Sequence, residues 1–301
     1  MPHATLFVNP AAGGASALHA QLASLKTLLA AHRYTSETIA TVPGQIATQA
    51  RTAARRSALV LACGGDGTVH DVLQGVADTD AALGVLPLGT ANVLARTLDL
   101  PLDPIAALAR LLTYTPRSIP LGRIVTLTRT EFFAVMAGCG PDGALAHTHA
   151  RRTTLKARFG RHAYYAQAAQ LFLTRRWPAF QIEFRTAAGW RTREAVAVMA
   201  ARVPDLGGAF SGLTPLARLT SPTLHLKVLA GPAHLTLPTW FALSRLGLPN
   251  PWVTTVDVQE LRCTPLLNRQ VLAQADAEPM GALPVTLDVV PDAVRLLMPG
   301  L

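Results

Sequence analysis

The chain has 301 residues, half of them apolar, enough to bury a large core and to form two domains. No apolar run reaches the 18 residues of a membrane-crossing helix, and Met-Pro-His-Ala-Thr passes at once into an apolar strand, so neither a transmembrane span nor a signal peptide is expected. The net charge of +9 is uneven: Arg151, Arg152, Lys156, Arg158, Arg161, Arg175 and Arg176 stand between His147 and Pro178 with no acid among them.

In chain order, Thr5–Val8 reads as a strand, Ala15–His32 as a helix and Tyr34–Val42 as a strand. A helix over Ile46–Arg56, a strand over Ala58–Cys63, a helix over Thr68–Ala77 and a strand over Ala82–Leu86 follow, then a short helix at Val93–Leu98. Asp103-Pro104 supplies an N-cap and a first-turn proline for a helix through Leu112. This alternation implies an α/β domain with a mainly parallel sheet, whose ligands bind where strands end and helices begin. From about Arg117 the texture changes to short strand-like runs bounded by Pro, Gly and Thr: Ile124–Leu127, Phe132–Ala137, Ala179–Arg185, Ala195–Ala200, Leu224–Leu229, Val253–Leu261 and Val285–Val290. Only Leu155–Leu173 and the stretch around Trp240–Leu246 look helical there. The reading is α/β overall, with an α/β domain over 1–116, completed by 293–301, and a largely antiparallel β domain over 117–292. Cys63, Cys139 and Cys263 are odd in number, far apart and in apolar context, as buried free thiols in a reducing cytosol would be.

The most informative stretch is Cys63-Gly64-Gly65-Asp66-Gly67-Thr68-Val69-His70-Asp71. An apolar strand runs in, and Val69, Val72, Leu73 and Val76 follow at helical spacing, which places the glycines in a strand-to-helix turn. Three glycines in four residues let the backbone approach a ligand closely. Thr68 is read as capping the helix, with Asp71 completing a weak capping box, and the helix start offers N–H groups to phosphate. Asp66 beside phosphates calls for a metal between them. An Asp-Gly hairpin turn is the plain alternative, and the helical spacing argues against it.

Three further pieces accompany this loop. Phe7-Val8-Asn9-Pro10-Ala11-Ala12-Gly13-Gly14 ends the first strand, Leu86-Pro87-Leu88-Gly89-Thr90-Ala91-Asn92 follows the fourth, and Ala275-Asp276-Ala277-Glu278-Pro279 lies late, before a closing strand. Taken singly they are a turn, a strand end and an acidic loop. Together, in the order NPxxGG, GGDGT, PLGTxN and a late D-x-E, they resemble the diacylglycerol kinase catalytic family, which includes bacterial soluble diacylglycerol kinases and eukaryotic sphingosine and ceramide kinases. Gly138-Cys139-Gly140-Pro141-Asp142-Gly143 is similar to that family's G-x-G-x-D segment.

The resemblance implies ATP bound between an α/β domain and a β-rich lipid domain, with transfer of the γ-phosphate to a lipid hydroxyl. Nucleotide contacts carried over by it fall on Asn9, Pro10, Ala11, Ala12, Gly13, Thr41, Gly64, Gly65, Asp66, Gly67, Thr68, Val69, His70 and Thr90, with the amide of Asn92 at the same sheet edge. Asp66 would hold Mg²⁺ directly or through water, and Glu278 or Asp276 would accept the hydroxyl proton. The chain departs from the family at Val93, where an Asp often follows the asparagine, and at Pro120, where an Asp often precedes Leu121-Gly122. It departs again at Thr220-Ser221-Pro222-Thr223-Leu224, which replaces the Asp-Asp-Gly-x-Leu of a structural metal loop, so no metal is expected there. Ala277 stands where the late motif has glycine, a concern only if its φ is positive.

The basic stretch suits an anionic surface, whether bilayer, nucleic acid or phosphorylated ligand, and is otherwise a solvated helix face. Tyr164, Tyr165, Leu171, Phe172 and Trp177 share its region, and Trp240, Phe241, Leu243, Leu246, Leu248 and Trp252 form a second apolar stretch; such stripes serve as core or as membrane contact. The leading reading is a cytoplasmic lipid kinase held peripherally at an anionic membrane surface, using ATP and Mg²⁺, with no nucleic-acid partner. The rivals are a nucleotide- or lipid-binding protein without turnover, favoured by the missing acids, and an NAD-kinase-like enzyme, which shares a Gly-Gly-Asp-Gly loop but not the Asn-Pro and Pro-Leu-Gly-Thr-Ala-Asn segments.

Overall fold

The computed structural model describes residues 1–10, 15–151, 170–171, 177–232, 239–240, 242–243, 246–266 and 269–300. The chain divides into two units, Met1–Leu121 with Pro291–Leu301, and Gly122–Val290, against expected changes at 116/117 and 292/293.

In the first unit the elements alternate: β1 (His3–Val8), α1 (Ala15–Ala31), β2 (Thr35–Ala40), α2 (Ile46–Ala54), β3 (Leu59–Gly64), α3 (Asp66–Val76), β4 (Ala82–Pro87), α4 (Val93–Thr97) and α5 (Pro104–Leu111). The parallel strands lie in the order β2-β1-β3-β4. Every residue of β3 and β4 is buried, as befits parallel strands covered on both faces. The amphipathic α2 turns Ile46, Ala50, Ala53 and Ala54 inward. The N-cap of α5 is as read from Asp103-Pro104: the Asp103 carboxylate accepts from Ala106 N at 2.9 Å.

β5 (Thr115–Val125) leads into the second unit, where β6 (Thr130–Phe133), β7 (Met136–Cys139), α6 (Pro141–Arg151), β8 (Phe180–Thr186), β9 (Gly189–Ala195) and β10 (Ala197–Ala201) follow. After them come β11 (Leu224–Leu229), β12 (Val253–Val258), β13 (Glu260–Pro265), β14 (Leu272–Ala275), β15 (Glu278–Ala282) and β16 (Val285–Met298). One antiparallel sheet has the order β12-β11-β10-β7-β14-β15. The other sets β13 between β8 and the start of β16, with β9 beyond β8. Their facing residues, among them Phe180, Ile182, Leu261 and Leu287 from one sheet and Val198, Leu226 and Val228 from the other, fill one core, which makes this unit a β-sandwich. The end of β16 returns to the first unit and pairs in parallel with β4, Arg295 opposite Ala82.

The α/β reading with an antiparallel second domain therefore holds. The single strand expected over Val253–Leu261 is the two strands β12 and β13, and four further elements of the second unit were not read from the sequence. β9 carries an almost wholly exposed Trp-Arg-Thr-Arg-Glu run, α6 begins inside the G-x-G-x-D segment, and β14 and β15 are only four and five residues long. The expected Leu155–Leu173 helix lies outside the described residues apart from 170–171, which are helical.

Candidate functional site

In the first unit, the order β2-β1-β3 means that the chain leaves β1 for one side and β3 lies on the other, so the sheet reverses direction of growth between β1 and β3. Ligands of open α/β sheets bind beyond the carboxyl ends of strands at such a point. Three sequence motifs, the Asn-Pro turn, the glycine loop and the Pro-Leu-Gly-Thr-Ala-Asn segment, end here. Asn9 N donates to Cys63 O at 3.2 Å, Thr41 N to Val8 O at 2.9 Å, and Leu88 N to Gly64 O at 2.9 Å, tying the ends of β1, β2, β3 and β4 to one another.

Gly65 is the N-cap of α3 in an extended conformation, and Asp66 opens the helix. The expectation that Thr68 caps this helix is corrected: Thr68 lies within the first turn, and its hydroxyl accepts from the Asn9 side-chain amide at 2.9 Å. The hydroxyl thus joins the Asn-Pro turn to the glycine loop instead of closing a helix end. Gly65 and Gly89 pack backbone to backbone. A Cβ on Gly89 would come 2.5 Å from Gly65 Cα, so the ends of β3 and β4 meet only because neither residue has a side chain.

The Asp66 carboxylate is bonded on both oxygens: Asn92 N donates to Oδ2 at 2.9 Å and Val93 N to Oδ1 at 2.7 Å. It thereby satisfies the first N–H groups of α4, an end that has no side-chain cap of its own. Asn92 sits at φ 48° and closes its loop on itself, accepting from Gly89 N at 2.9 Å and donating to Gly89 O at 2.8 Å. Val69 and His70 are one turn into α3 with buried side chains, Thr41 is buried, and Pro10 and Thr90 are exposed. Ala11, Ala12 and Gly13 lie outside the described residues, as do Arg152, Lys156, Arg158, Arg161, Arg175 and Arg176 of the basic stretch, Tyr164, Tyr165 and Phe172 beside it, and Phe241.

In the second unit, Asp276 and Ala277 form the two-residue turn of the β14–β15 hairpin, with φ of 47° and 69°. Positive φ at both central positions is the type I′ pattern that matches strand twist. Ala277 is therefore in the conformation where glycine would be at ease. The Asp276 carboxylate, in a residue 8% exposed, accepts three backbone N–H groups: Ala134 at 2.9 Å, Val135 at 2.9 Å and Met136 at 3.0 Å. Its own N–H donates to Met136 O at 2.8 Å. Glu278 opens β15 directly after the turn, half-buried and paired with Ala275 through the main chain, its side chain making no hydrogen bond or ion pair among the described residues. The two acids proposed as alternatives are thus in different states, one consumed by the fold and one available.

Gln274 and Arg129, which have no sequence signal of their own, support this turn together with Asp142 of the G-x-G-x-D segment. Gln274 accepts from Ala277 N at 2.8 Å and donates to the Asp142 carboxylate at 3.1 Å. Asp142 lies against Gly138, where a Cβ would fall 1.8 Å from its Oδ2, which is the physical content of the G-x-G-x-D spacing. Burial pushes the Asp142 carboxyl up to about 6, against the bonds from Gln274 and Gly143 N. Arg129 donates to Pro279 O and reaches Met280 Sδ, and Arg202 lies buried beyond. All three cysteines are free and buried, and among the described residues no group of three or more His, Cys, Asp or Glu could hold a metal ion.

Comparison with known proteins adds to this geometry. The diacylglycerol kinase catalytic domain family matches residues 3–124, and the YegS C-terminal NAD kinase beta sandwich-like domain family matches residues 134–298, more than half of the chain. The chain belongs to the diacylglycerol kinase and YegS-like lipid kinase family. Among its relatives, a diacylglycerol kinase of Bacillus subtilis is 28% identical over 234 residues, covering 76% of this chain and 74% of that one. A protein named as a YegS-like lipid kinase from Pseudomonas putida is 50% identical over 66 residues, 21% of this chain and 22% of its own. The fold is similar to that of a crystal structure of a diacylglycerol kinase from Bacillus anthracis, with a TM-score of 0.77 at 20% identity, over 99% of this chain and 97% of that one.

Proposed function

We propose that this chain transfers the γ-phosphate of ATP to the hydroxyl of a lipid. The observation that carries the reading is the main-chain cradle at the ends of β3 and β4, where glycine meets glycine and the helix α3 starts. Phosphoryl transfer asks little covalent work of a protein; it asks for charge neutralisation and for an acceptor held in line. The N–H groups of Gly65, Gly67 and the start of α3 would take phosphate oxygens. Magnesium, when bound, would offset the charge developing on the phosphates. Asp66 is the carboxylate that would hold it, fixed at the start of α3 by the N–H groups of Asn92 and Val93.

As the lipid oxygen bonds to the γ-phosphorus and the bond to the ADP oxygen breaks, the hydroxyl proton must leave. Glu278 is the acceptor this reading assigns, because Asp276 spends both oxygens on the backbone. The lipid would be met at an anionic membrane surface through the basic stretch 147–178. No helix among the described residues is long and apolar enough to cross a membrane. Such binding should weaken steeply with salt, since screening shortens the field to about 8 Å at physiological ionic strength.

A reading without turnover has one observation in its favour: Val93 offers Asp66 a backbone N–H where the family often places a carboxylate. Labelled ATP tested against diacylglycerol, monoacylglycerol, a sphingoid base and phospholipid vesicles decides between them. Labelled lipid in one lane, abolished in Glu278→Gln, supports the kinase; nucleotide binding with no labelled product from any lipid supports the rival.

A further inference from the structure

The family resemblance implies an acid-bearing metal loop where this chain has 220–224, and the residues here do not suit a divalent ion. Ser221 is turned onto its own loop, its Oγ 2.9 Å from Thr223 Oγ1 and accepting from Thr223 N at 3.1 Å. A cation is nevertheless present. Arg202, at the end of β10, is 0% exposed, and its Nη2 donates to Leu219 O at 2.7 Å and to Ser221 O at 3.1 Å. A hard divalent ion would use main-chain carbonyls of this kind.

We propose that the Arg202 guanidinium is the resident cation of the 218–224 loop, a built-in substitute for a structural metal that makes this unit metal-independent. The surroundings suit that role. Arg202 N donates to Val135 O at 2.9 Å, and Val135 N is one of the three donors held by the Asp276 carboxylate. The 134–136 segment is therefore pinned by Arg202 on one side and Asp276 on the other. Burial pulls the guanidinium down to about 10, while the charge of Asp276 supports it, so it stays protonated at neutral pH. The guanidinium reaches two carbonyls from its single Nη2 and does not dissociate, unlike an ion.

Thermal unfolding of the whole chain tests this without reference to kinase turnover. The wild-type midpoint should move by less than about 1 °C between excess EDTA and added Mg²⁺ or Ca²⁺, because no ion is linked to folding of the loop. Arg202→Met, which keeps much of the apolar stem and loses the charge, should lower the midpoint by roughly 10 °C. Arg202→Lys should recover a clear part of that loss. Destabilisation of the wild type by EDTA, reversed by either ion, would overturn the proposal, as would a Lys variant no better than the Met variant. If neither variant folds, the wild-type comparison still decides.

Discussion

Replacing Asp276 by Asn separates the two carboxylates of the late motif. The carboxylate accepts Val135 N and Met136 N on one oxygen and Ala134 N on the other. Asn keeps a single acceptor. If it faces Val135 and Met136, the amide NH₂ confronts the Ala134 N–H and leaves a buried donor unpaired, at about 1–3 kcal/mol. The two bonds that survive lose their charge assistance, about 1 kcal/mol each. Together the loss is roughly 3–5 kcal/mol, and at ~2–4 °C per kcal/mol for a unit of this size the midpoint should fall by roughly 6–20 °C. Calorimetry run beside labelled-ATP turnover is the assay, with Glu278→Gln as its counterpart. That variant breaks no bond among the described residues, so its midpoint should stay within about 2 °C, while turnover falls about 10²-fold or more. An Asp276→Asn protein as stable as wild type, yet as inactive as Glu278→Gln, would refute this division and make Asp276 the base.

Ala277→Gly should raise the midpoint by about 2 °C: at φ 69° an L-residue costs about 1–2 kcal/mol, part of which glycine's greater unfolded-state freedom takes back. Gly89→Ala must drive Gly65 away from a 2.5 Å contact, so nucleotide affinity measured by calorimetric titration should drop by at least about tenfold. Asp142 gives a pH signature. Its folded-state carboxyl is raised from 3.8 to about 6, so its contribution is fully present at low pH and is lost as pH rises through that window. Midpoints should therefore decline between about pH 4 and 6 more steeply in wild type than in Asp142→Asn, and parallel profiles would count against the assignment.

Legibility differed between the two units for a physical reason. In the first, β1, β3 and β4 are short apolar runs buried almost throughout, β2 is a half-exposed edge strand, and the helices carry their own period, so local pattern and final structure largely agree. The motifs sit where the chain changes from one to the other, and those points gather at one sheet edge by topology alone. The second unit is held by contacts distant in sequence. Asp276 is bonded to residues more than a hundred positions earlier, and Arg202 to a loop seventeen and nineteen residues on. Arg202 has no spacing to betray it, and the spacing that marks Asp276 does not name its partners. The late acids were visible as a pair, but only the hairpin geometry separates the one that builds the turn from the one that is available. Thr68 was misassigned because a helix start one turn earlier is set by the Gly65 conformation, which no composition rule fixes.

The return of β16 to β4 bears on how the chain comes off the ribosome. β4 is buried on both faces, and its partner on one side is supplied by residues after 290. Until residues past 290 have been made, that flank of an apolar parallel sheet lacks its neighbour, an edge open to wrong pairing. A nascent fragment ending near residue 121 would thus contain every nucleotide-site motif of the first unit and still lack a complete sheet, so the first unit must await β16, about 170 residues further along the chain.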